Sequence, residues 1–388
     1  MTMRERNLRR VFDLVRERGT ITRSEVGAVT GLSRSAVASL VTELVDCGRL
    51  VEREGVRKGR GTGSGRPSLA LCPVIPDGFL LALDFGHNHV RVALADMAYD
   101  IQAERFAELD VDAHAAQALD CAADLVASLL AGLDVGRQSV RAAAAGIPGP
   151  LDGGEKRKVR SPTILADWID LYPAVELERR IGRRVAIDND ANLGAFGELR
   201  FGAGRDVGDF IYIKASHGIG ASIVLGGQPY RGSAGIAGEI GHTQISGADR
   251  WCRCGNRGCL ETAVSIEAVQ AELALVGTAP GEDPHEAADS SVARRILTGA
   301  GRTIGRVVAD LCNCLNPAAV ILGGELAEYG RPVLDGLRDS IERFAQPAVS
   351  ETVAVLAAQH GRRSEIYGAL ALAAQVAQSA ADASPSGH

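Results

Sequence analysis

The 388-residue chain has no run of about 18 uninterrupted apolar residues, so no transmembrane helix is expected. Its first residues, MTMRERNLRR, are charged and are not followed by a long apolar core; a secretory signal is not expected, and the cytoplasm is the expected compartment. The chain also lacks the polar excess of intrinsic disorder. Hydrophobic residues make up 46% and charged residues 23%, enough apolar surface to offset chain entropy over most of the length. No short-period internal repeat is visible. The length corresponds to about two to three domains.

The net charge of −6 hides an asymmetry: residues 1–72 carry +6 and the remainder −12. A basic head on an acidic body points to a polyanion that meets only the head. The whole-chain pI of about 5.8 is therefore no argument against nucleic acid.

Leu8, Val11, Phe12 and Val15 recur at helical spacing and predict an amphipathic helix over 7–18. Thr22-Arg23-Ser24-Glu25 reads as a capping box that opens a second helix ending at Gly31. Ser33 can cap a third helix, with Val37, Leu40, Val41 and Leu44 on one face and a stop near Gly48. Leu50-Val51-Glu52 and Leu69-Ala70-Leu71 read as short strands around REGVRKGRGTGSGRPS, a basic, glycine-rich segment. Three helices, a turn at Thr30-Gly31-Leu32-Ser33 and a hairpin with a basic tip are the plan of a winged helix-turn-helix over 1–72. A short linker, 73–78, follows.

Ser33, Arg34, Ser35, Ala38, Ser39 and Thr42 lie off the apolar face of the third helix, as residues that reach base edges in a major groove would. Arg57, Lys58, Arg60 and Arg66 would follow phosphates or enter the minor groove. The plainer alternative is a solvated basic hairpin behind an ordinary helical cap. The agreement of helices, turn glycine, wing and local charge favours double-stranded DNA as the partner.

From residue 79 the pattern changes. FLLALDFG and HVRVALAD read as a strand hairpin, 113–133 as an Ala/Leu-rich helix, and VRAAAAGIPGP, VAIDNDAN, IYIKAS, ASIVLGG and AAVILGG as further strands closing on polar or glycine residues. Strands alternating with helices imply an α/β domain with covered sheets. The sets at 79–96 and 209–227 resemble each other, as two related lobes would. The final residues, 377–388, read as a flexible tail.

Three of the eight cysteines cluster as Cys252-x-Cys254-x4-Cys259, with His242 ten residues ahead of the first. One imidazole and three thiolates fill a tetrahedral zinc shell and leave no open position, which implies a structural Zn2+ rather than a hydrolytic one. Gly255 and Gly258 permit the tight turns, and Arg250, Arg253 and Arg257 stand close enough in sequence to lower the thiol pKa values. The alternative is a set of reduced thiols beside a coincidental histidine. Glu239 and Glu261 flank this cluster, and Asp188-Asn189-Asp190-Ala191-Asn192 ends a strand, where α/β proteins bind ligands. Such carboxylates suit vicinal hydroxyls and one could act as a base. The same residue types also make caps and turns, and spacing alone leaves both readings open. Asp84-Phe85-Gly86, Gly218-Ile219-Gly220 and Gly323-Gly324 are glycine turns that carry little weight for phosphate binding by themselves.

GLSRSAVASLVTELVDCGRL, GRPSLAL, GIPGPLD, DNDAN, GIAGEIGH and CRCGNRGCLE together resemble the ROK family (repressors, open reading frames and kinases) over about 5–375. The likeness is to its transcriptional-regulator branch, which includes N-acetylglucosamine and xylose repressors. The resemblance implies a two-lobed actin-like, hexokinase-type ATPase fold over 79–376, sugar binding in the cleft, one zinc, and a homodimer or homotetramer. It also implies that Asn189, Asp190, Glu239, His242 and Glu261 bind sugar hydroxyls, with Asp190 at the position of the kinase base and His242 shared with the metal. Gly146 to Pro150 would turn near the cleft.

The sequence departs from the family's kinases at both phosphate loops. A DxGGT-like loop reads Asp84-Phe85-Gly86-His87-Asn88-His89, and a GTGIG-like loop reads Ser216-His217-Gly218-Ile219-Gly220. Side chains stand where backbone N–H groups approach phosphate. The expectation is thus a sugar-responsive DNA-binding repressor of carbohydrate genes, effected by a sugar or sugar phosphate, with no catalysis, no ATP and no membrane. The rival is an ATP-dependent sugar kinase with an appended DNA-binding head.

Overall fold

The computed structural model describes residues 3–47, 49–54, 69–74, 77–154, 157–160, 163–277 and 290–383. Contacts divide the chain into two compact units, Met1–Asp77 and Gly78–His388. Arg57, Lys58, Arg60 and Arg66, the expected wing contacts, lie outside the described residues.

The first unit contains α1 (Met3–Arg18), β1 (Ile21–Thr22), α2 (Arg23–Thr30), α3 (Arg34–Asp46), β2 (Leu50–Glu54) and β3 (Leu69–Pro73). Thr22 and Glu25 form the reciprocal capping box: Thr22 Oγ1 accepts from Glu25 N at 3.3 Å and Glu25 Oε2 accepts from Thr22 N at 2.8 Å. Gly31 ends α2 with φ 70°, a left-handed position that suits glycine. Val11, Val15, Val26, Val37, Val41, Leu44, Leu50 and Leu71 form the buried core. β3 lies between β1 and β2, antiparallel to both. It runs on to Pro73, so the expected linker begins inside a strand.

The second unit builds the same motif twice. The first lobe has a sheet of β4 (Phe79–Phe85), β5 (His89–Asp96), β6 (Ile101–Glu108), β7 (Val140–Ile147) and β8 (Val185–Asn189) in the order β6-β5-β4-β7-β8. The second has β9 (Phe210–Ala215), β10 (Ile219–Leu225), β11 (Gln228–Tyr230), β12 (Ala319–Gly323) and β13 (Ala354–Ala357) in the order β11-β10-β9-β12-β13. In each lobe an antiparallel hairpin, β4–β5 or β9–β10, is extended by two parallel strands. The turns Asp84–His89 and Ser216–Gly220 thus occupy equivalent places.

Helices cover both sheets. α4 (Ala115–Gly132) and α5 (Pro173–Ile181) pack on the Leu81, Leu83 and Phe85 face of the first. α7 (Glu261–Val264), α8 (Ile266–Ala274), α9 (Ser291–Leu315), α10 (Arg331–Phe344) and the short α11 (Pro347–Ser350) accompany the second lobe. Between the lobes run α6 (Asp190–Phe201) and α12 (Ser364–Ala383). The sheet face beneath α12 is lined by Ala82, Ala93, Ala142 and Ala144, small residues that admit the helix closely. The two helices cross at glycine: a Cβ on Gly368 would lie 1.8 Å from Leu193 O, and one on Gly197 would lie 2.2 Å from Ser364 O.

One expectation changes here. The tail assigned to 377–388 is helical through Ala383, because Val376 and Ala377 still pack against the first lobe's core. Among the described residues α4 is long and apolar enough to cross a membrane by composition, with mean hydropathy 1.3. Its Leu119, Val126, Leu129 and Leu130 are instead buried in the first lobe's core.

Candidate functional site

The loop between β11 and α7 folds into a small hairpin, bridged at Gln244 with Cys259 and at Trp251 with Arg257. Cys252 N donates to Asn256 O at 2.8 Å and Gly255 N donates to Cys252 O at 3.0 Å, closing the turn between the thiols. Gly258 has φ 73°, and a Cβ there would lie 2.4 Å from Ala248 O, so glycine is required. This hairpin gathers His242, Cys252, Cys254 and Cys259 with donor atoms all within 4.8 Å of one another. Cys254 Sγ and Cys259 Sγ are 3.7 Å apart, and Cys252 Sγ is 3.6 Å from His242 Nδ1. Tetrahedral zinc, with Zn–S about 2.3 Å and Zn–N about 2.0 Å, spaces two sulfurs about 3.8 Å apart and a sulfur and nitrogen about 3.6 Å apart. The four donors fit a closed zinc shell in number and kind, and these two pairs fit it in spacing.

The arginines do not act as expected. Arg250 donates to Thr262 O at 3.0 Å, Arg257 donates to Asp249 O at 2.9 Å and lies 4.9 Å over the Trp251 ring, and Arg253 donates to Asp112 at 2.9 Å. Burial pushes the Cys252 thiol up, and Glu261 Oε1, which accepts from Cys252 Sγ at 3.0 Å, adds to the rise.

His242 turns its Nε2 toward Glu239, 3.7 Å from Oε2, on the side away from the thiols. Asn189, Asp190, Glu239, His242 and Glu261 all line one cleft, together with Pro148, Gly149 and Pro150. The cleft setting, followed by the charges of Asp190 and Glu261, pushes Glu239 up to about 7. Asn189 also caps α6, since its Oδ1 accepts from Asn192 N at 3.1 Å; cap and cleft residue are here the same side chain. Asp188 and Asn192 of the same run are structural. Asp188 is clamped by Arg157 at 2.8 Å and Arg231 at 2.6 Å, and Asn192 Nδ2 donates to it at 3.4 Å.

Lys214, at the end of β9, was not singled out from the sequence and faces the same cleft. Its Nζ donates to Asp190 Oδ2 at 2.7 Å and lies 3.8 Å from Glu365 Oε1. Burial opposes the ammonium, but Asp190, Glu365 and Asp84 outweigh it and hold its pKa above the usual lysine value. Burial raises Asp84 as well, yet the His89 hydrogen bond and the Lys214 charge bring it down to about 2. A lysine inside a β-strand has a solvated-face reading in sequence; only the fold brings three carboxylates to it.

Both phosphate-type turns are filled. A Cβ on Gly86 would lie 2.1 Å from the His89 ring, and one on Gly218 would lie 3.0 Å from His87 Nε2 and 3.1 Å from Arg253 Nη2. His89 Nε2 is held by Asp84 Oδ2 at 3.2 Å, and His217 pairs with Glu267.

In the first unit Ser33, Arg34, Ser35, Ala38, Ser39 and Thr42 are all exposed along α3. Three are already engaged, Ser35 through its Oγ 3.1 Å from Ser33 Oγ. Ser33 Oγ accepts from Ala36 N at 3.3 Å as the helix cap, and Ser39 Oγ accepts from Arg4 Nη2 at 3.4 Å.

The family model for the ROK family matches residues 80–376. The xylose repressor of Caldicellulosiruptor bescii is 26% identical over 380 residues, 93% of this chain and 94% of that protein. The crystal structure of a ROK family transcriptional regulator, a homolog of the E. coli Mlc protein, shares the fold with a TM-score of 0.69 at 22% identity, covering 97% of this chain and 96% of that one. The ROK family glucokinase of Streptomyces griseus, solved with glucose and AMPPNP, gives a TM-score of 0.66 at 30% identity, covering 77% of this chain and 100% of that one.

Proposed function

The chain belongs to the ROK family, with its two-lobed actin-like, hexokinase-type fold, and on that premise we propose that it is a sugar-responsive DNA-binding transcriptional regulator, a repressor of carbohydrate uptake or catabolism genes. The observation that carries this reading is the asymmetry of the cleft. Its hydroxyl-binding half is furnished by Asn189, Asp190, Glu239, His242 and Glu261, whereas of the turns that would receive nucleotide phosphate one carries His87 and His89 and the other lies under His87 and Arg253. The name of the Caldicellulosiruptor xylose repressor, matched nearly end to end, supports the same reading.

Each carboxylate accepts hydrogen bonds from sugar hydroxyls, and Asn189 donates or accepts. A structural Zn2+ held by His242, Cys252, Cys254 and Cys259 would fix the hairpin that presents Glu261 and orient His242 so that its other nitrogen faces the sugar. The winged helix-turn-helix head would read double-stranded operator DNA through Arg34, Ser35 and Ser39 of α3, with Ser33 as cap and Lys58, Arg60 and Arg66 as wing contacts. A homodimer or homotetramer would set two recognition helices against a pseudo-palindromic site. Sugar that closes the cleft needs a preference of about 1–3 kcal/mol between two states to change operator affinity usefully.

The deciding experiment screens D-glucose, D-xylose, N-acetyl-D-glucosamine and their phosphates by thermal shift, then measures operator affinity with each hit. A sugar that both stabilises the protein and shifts operator affinity is expected. Indifference of the DNA complex to every stabilising sugar would overturn the reading. The rival kinase reading draws on the likeness to the Streptomyces glucokinase; ATP-dependent phosphorylation at about 1 per second or faster would establish it.

A further inference from the structure

Arg253 sits between two metal-site thiols on the hairpin of the second lobe, yet its guanidinium reaches across the cleft. Nη1 donates to Asp112 Oδ2 at 2.9 Å, Nη2 lies 3.2 Å from His87 Nε2, and Nε donates to Glu261 Oε1 at 3.4 Å. A planar fork with five N–H groups can serve three acceptors at once, which an ammonium on a flexible stem does less well.

The receiving surface in the first lobe is held by contacts that do not involve Arg253. Asp112 Oδ1 is 2.7 Å from His87 Nδ1, Val111 N donates to His87 O at 3.0 Å, and the buried Trp168 indole donates to Val111 O at 2.8 Å. Arg253 Nη1 also lies 3.3 Å from His87 Nδ1, so the guanidinium spans both ring nitrogens of His87. The same guanidinium covers Gly218, 3.1 Å from where a Cβ would stand. The backbone turn that would face a phosphoryl group therefore lies under a resident cation, already paired with Asp112. Glu261 Oε1 is the oxygen engaged by Arg253 and Cys252, so the ligand's share of this carboxylate is Oε2.

We propose that Arg253 is a positioning residue that latches the metal-binding hairpin of one lobe to His87 and Asp112 of the other, fixing Glu261 for the sugar and bridging the cleft without a nucleotide. The role of Glu261 in this proposal rests on the sugar-site reading above; the bridge between the lobes does not.

The test compares full-length wild type with Arg253→Ala, Arg253→Lys, Asp112→Ala and the Arg253→Ala/Asp112→Ala double variant. Isothermal titration uses whichever of D-glucose, D-xylose and N-acetyl-D-glucosamine the wild type binds, alongside zinc content and amide hydrogen exchange without sugar. Each single variant is expected to bind about ten- to a hundredfold more weakly, as for loss of a charge-assisted hydrogen bond. The double variant should be no weaker than the worse single, because both lose one shared contact. Exchange should quicken both in 250–256 and, across the cleft, in 87–89 and 109–113. Additive losses, unchanged affinity, or faster exchange confined to the hairpin would overturn the latch. If Arg253→Ala sheds zinc, Asp112→Ala, remote in sequence from the metal loop, still decides the matter. If the wild type binds no sugar offered, the sugar-site reading fails while the exchange arm continues to judge the bridge.

Discussion

Lys214 Nζ lies 2.7 Å from Asp190 Oδ2, the carboxylate that the family resemblance proposes as the counterpart of a kinase base. Its other oxygen, Oδ1, accepts from Ala191 N at 2.7 Å and Asn189 Nδ2 at 3.0 Å. A base must be available to take a proton from a hydroxyl. Both oxygens of Asp190 are instead already engaged, an arrangement we propose for binding a hydroxyl rather than activating one.

The first prediction concerns that pair. Lys214→Met leaves Asp190, Glu365 and Asp84 as neighbouring carboxylates without their shared cation. Removing one partner of a buried pair costs about 3–5 kcal/mol, because the remaining charges are uncompensated. Urea unfolding at pH 7 should show a loss of that order. A change below about 1 kcal/mol would mean that the cluster is solvated in solution.

Glu365 sets a pH dependence. Burial raises its carboxyl and Asp84 adds to this against the pull of Lys214, leaving it at about 7 instead of the ordinary 4.5. Below pH 4.5 both folded and unfolded chains keep this proton. Between 4.5 and 7 the unfolded chain releases it and the folded chain retains it, so this group makes stability fall as pH rises, levelling off above 7. The contribution is on the order of a few kcal/mol. Glu365→Gln should flatten unfolding free energy across that window; parallel wild-type and variant curves would refute the assignment.

Cys254→Ser tests the metal. Elemental analysis should show loss of stoichiometric zinc, and the sugar-induced thermal shift should vanish with it, because the hairpin that carries Glu261 and orients His242 loses its clamp. A sugar response that survives in metal-free protein would separate the two sites.

Arg34→Ala addresses the head. Arg34 is exposed at the N-terminal end of α3, where side chains reach base edges. Operator affinity should drop by about 1–3 kcal/mol and base preference should relax at one position in each half-site. Binding that weakens equally on every sequence would move Arg34 from base to backbone contact.

Much of this molecule was legible residue by residue. The Thr22–Glu25 box, the Gly31 stop, the β4–β5 hairpin and the His242/Cys252/Cys254/Cys259 donor set each depend on a few neighbouring positions, where spacing alone fixes which side chains can meet. The tail reading failed for a local reason of another kind: AQSAADA looks featureless by composition, but alanine-rich sequence continues a helix readily once its preceding turns are packed. Arg253 was misjudged because sequence proximity to thiols was taken for contact.

Short-range periodicity and cap chemistry thus determined the elements, and residue type and spacing the basic head and the cysteine–histidine donor set, from the primary structure alone, since helix and turn geometry relate residues only a few positions apart. Pairing Lys214 with Asp190 and Glu365, and Arg253 with Asp112, was decided by the tertiary structure. Those partners are far apart along the chain, and what brings them to hydrogen-bond distance is the packing of two duplicated sheets around α6 and α12.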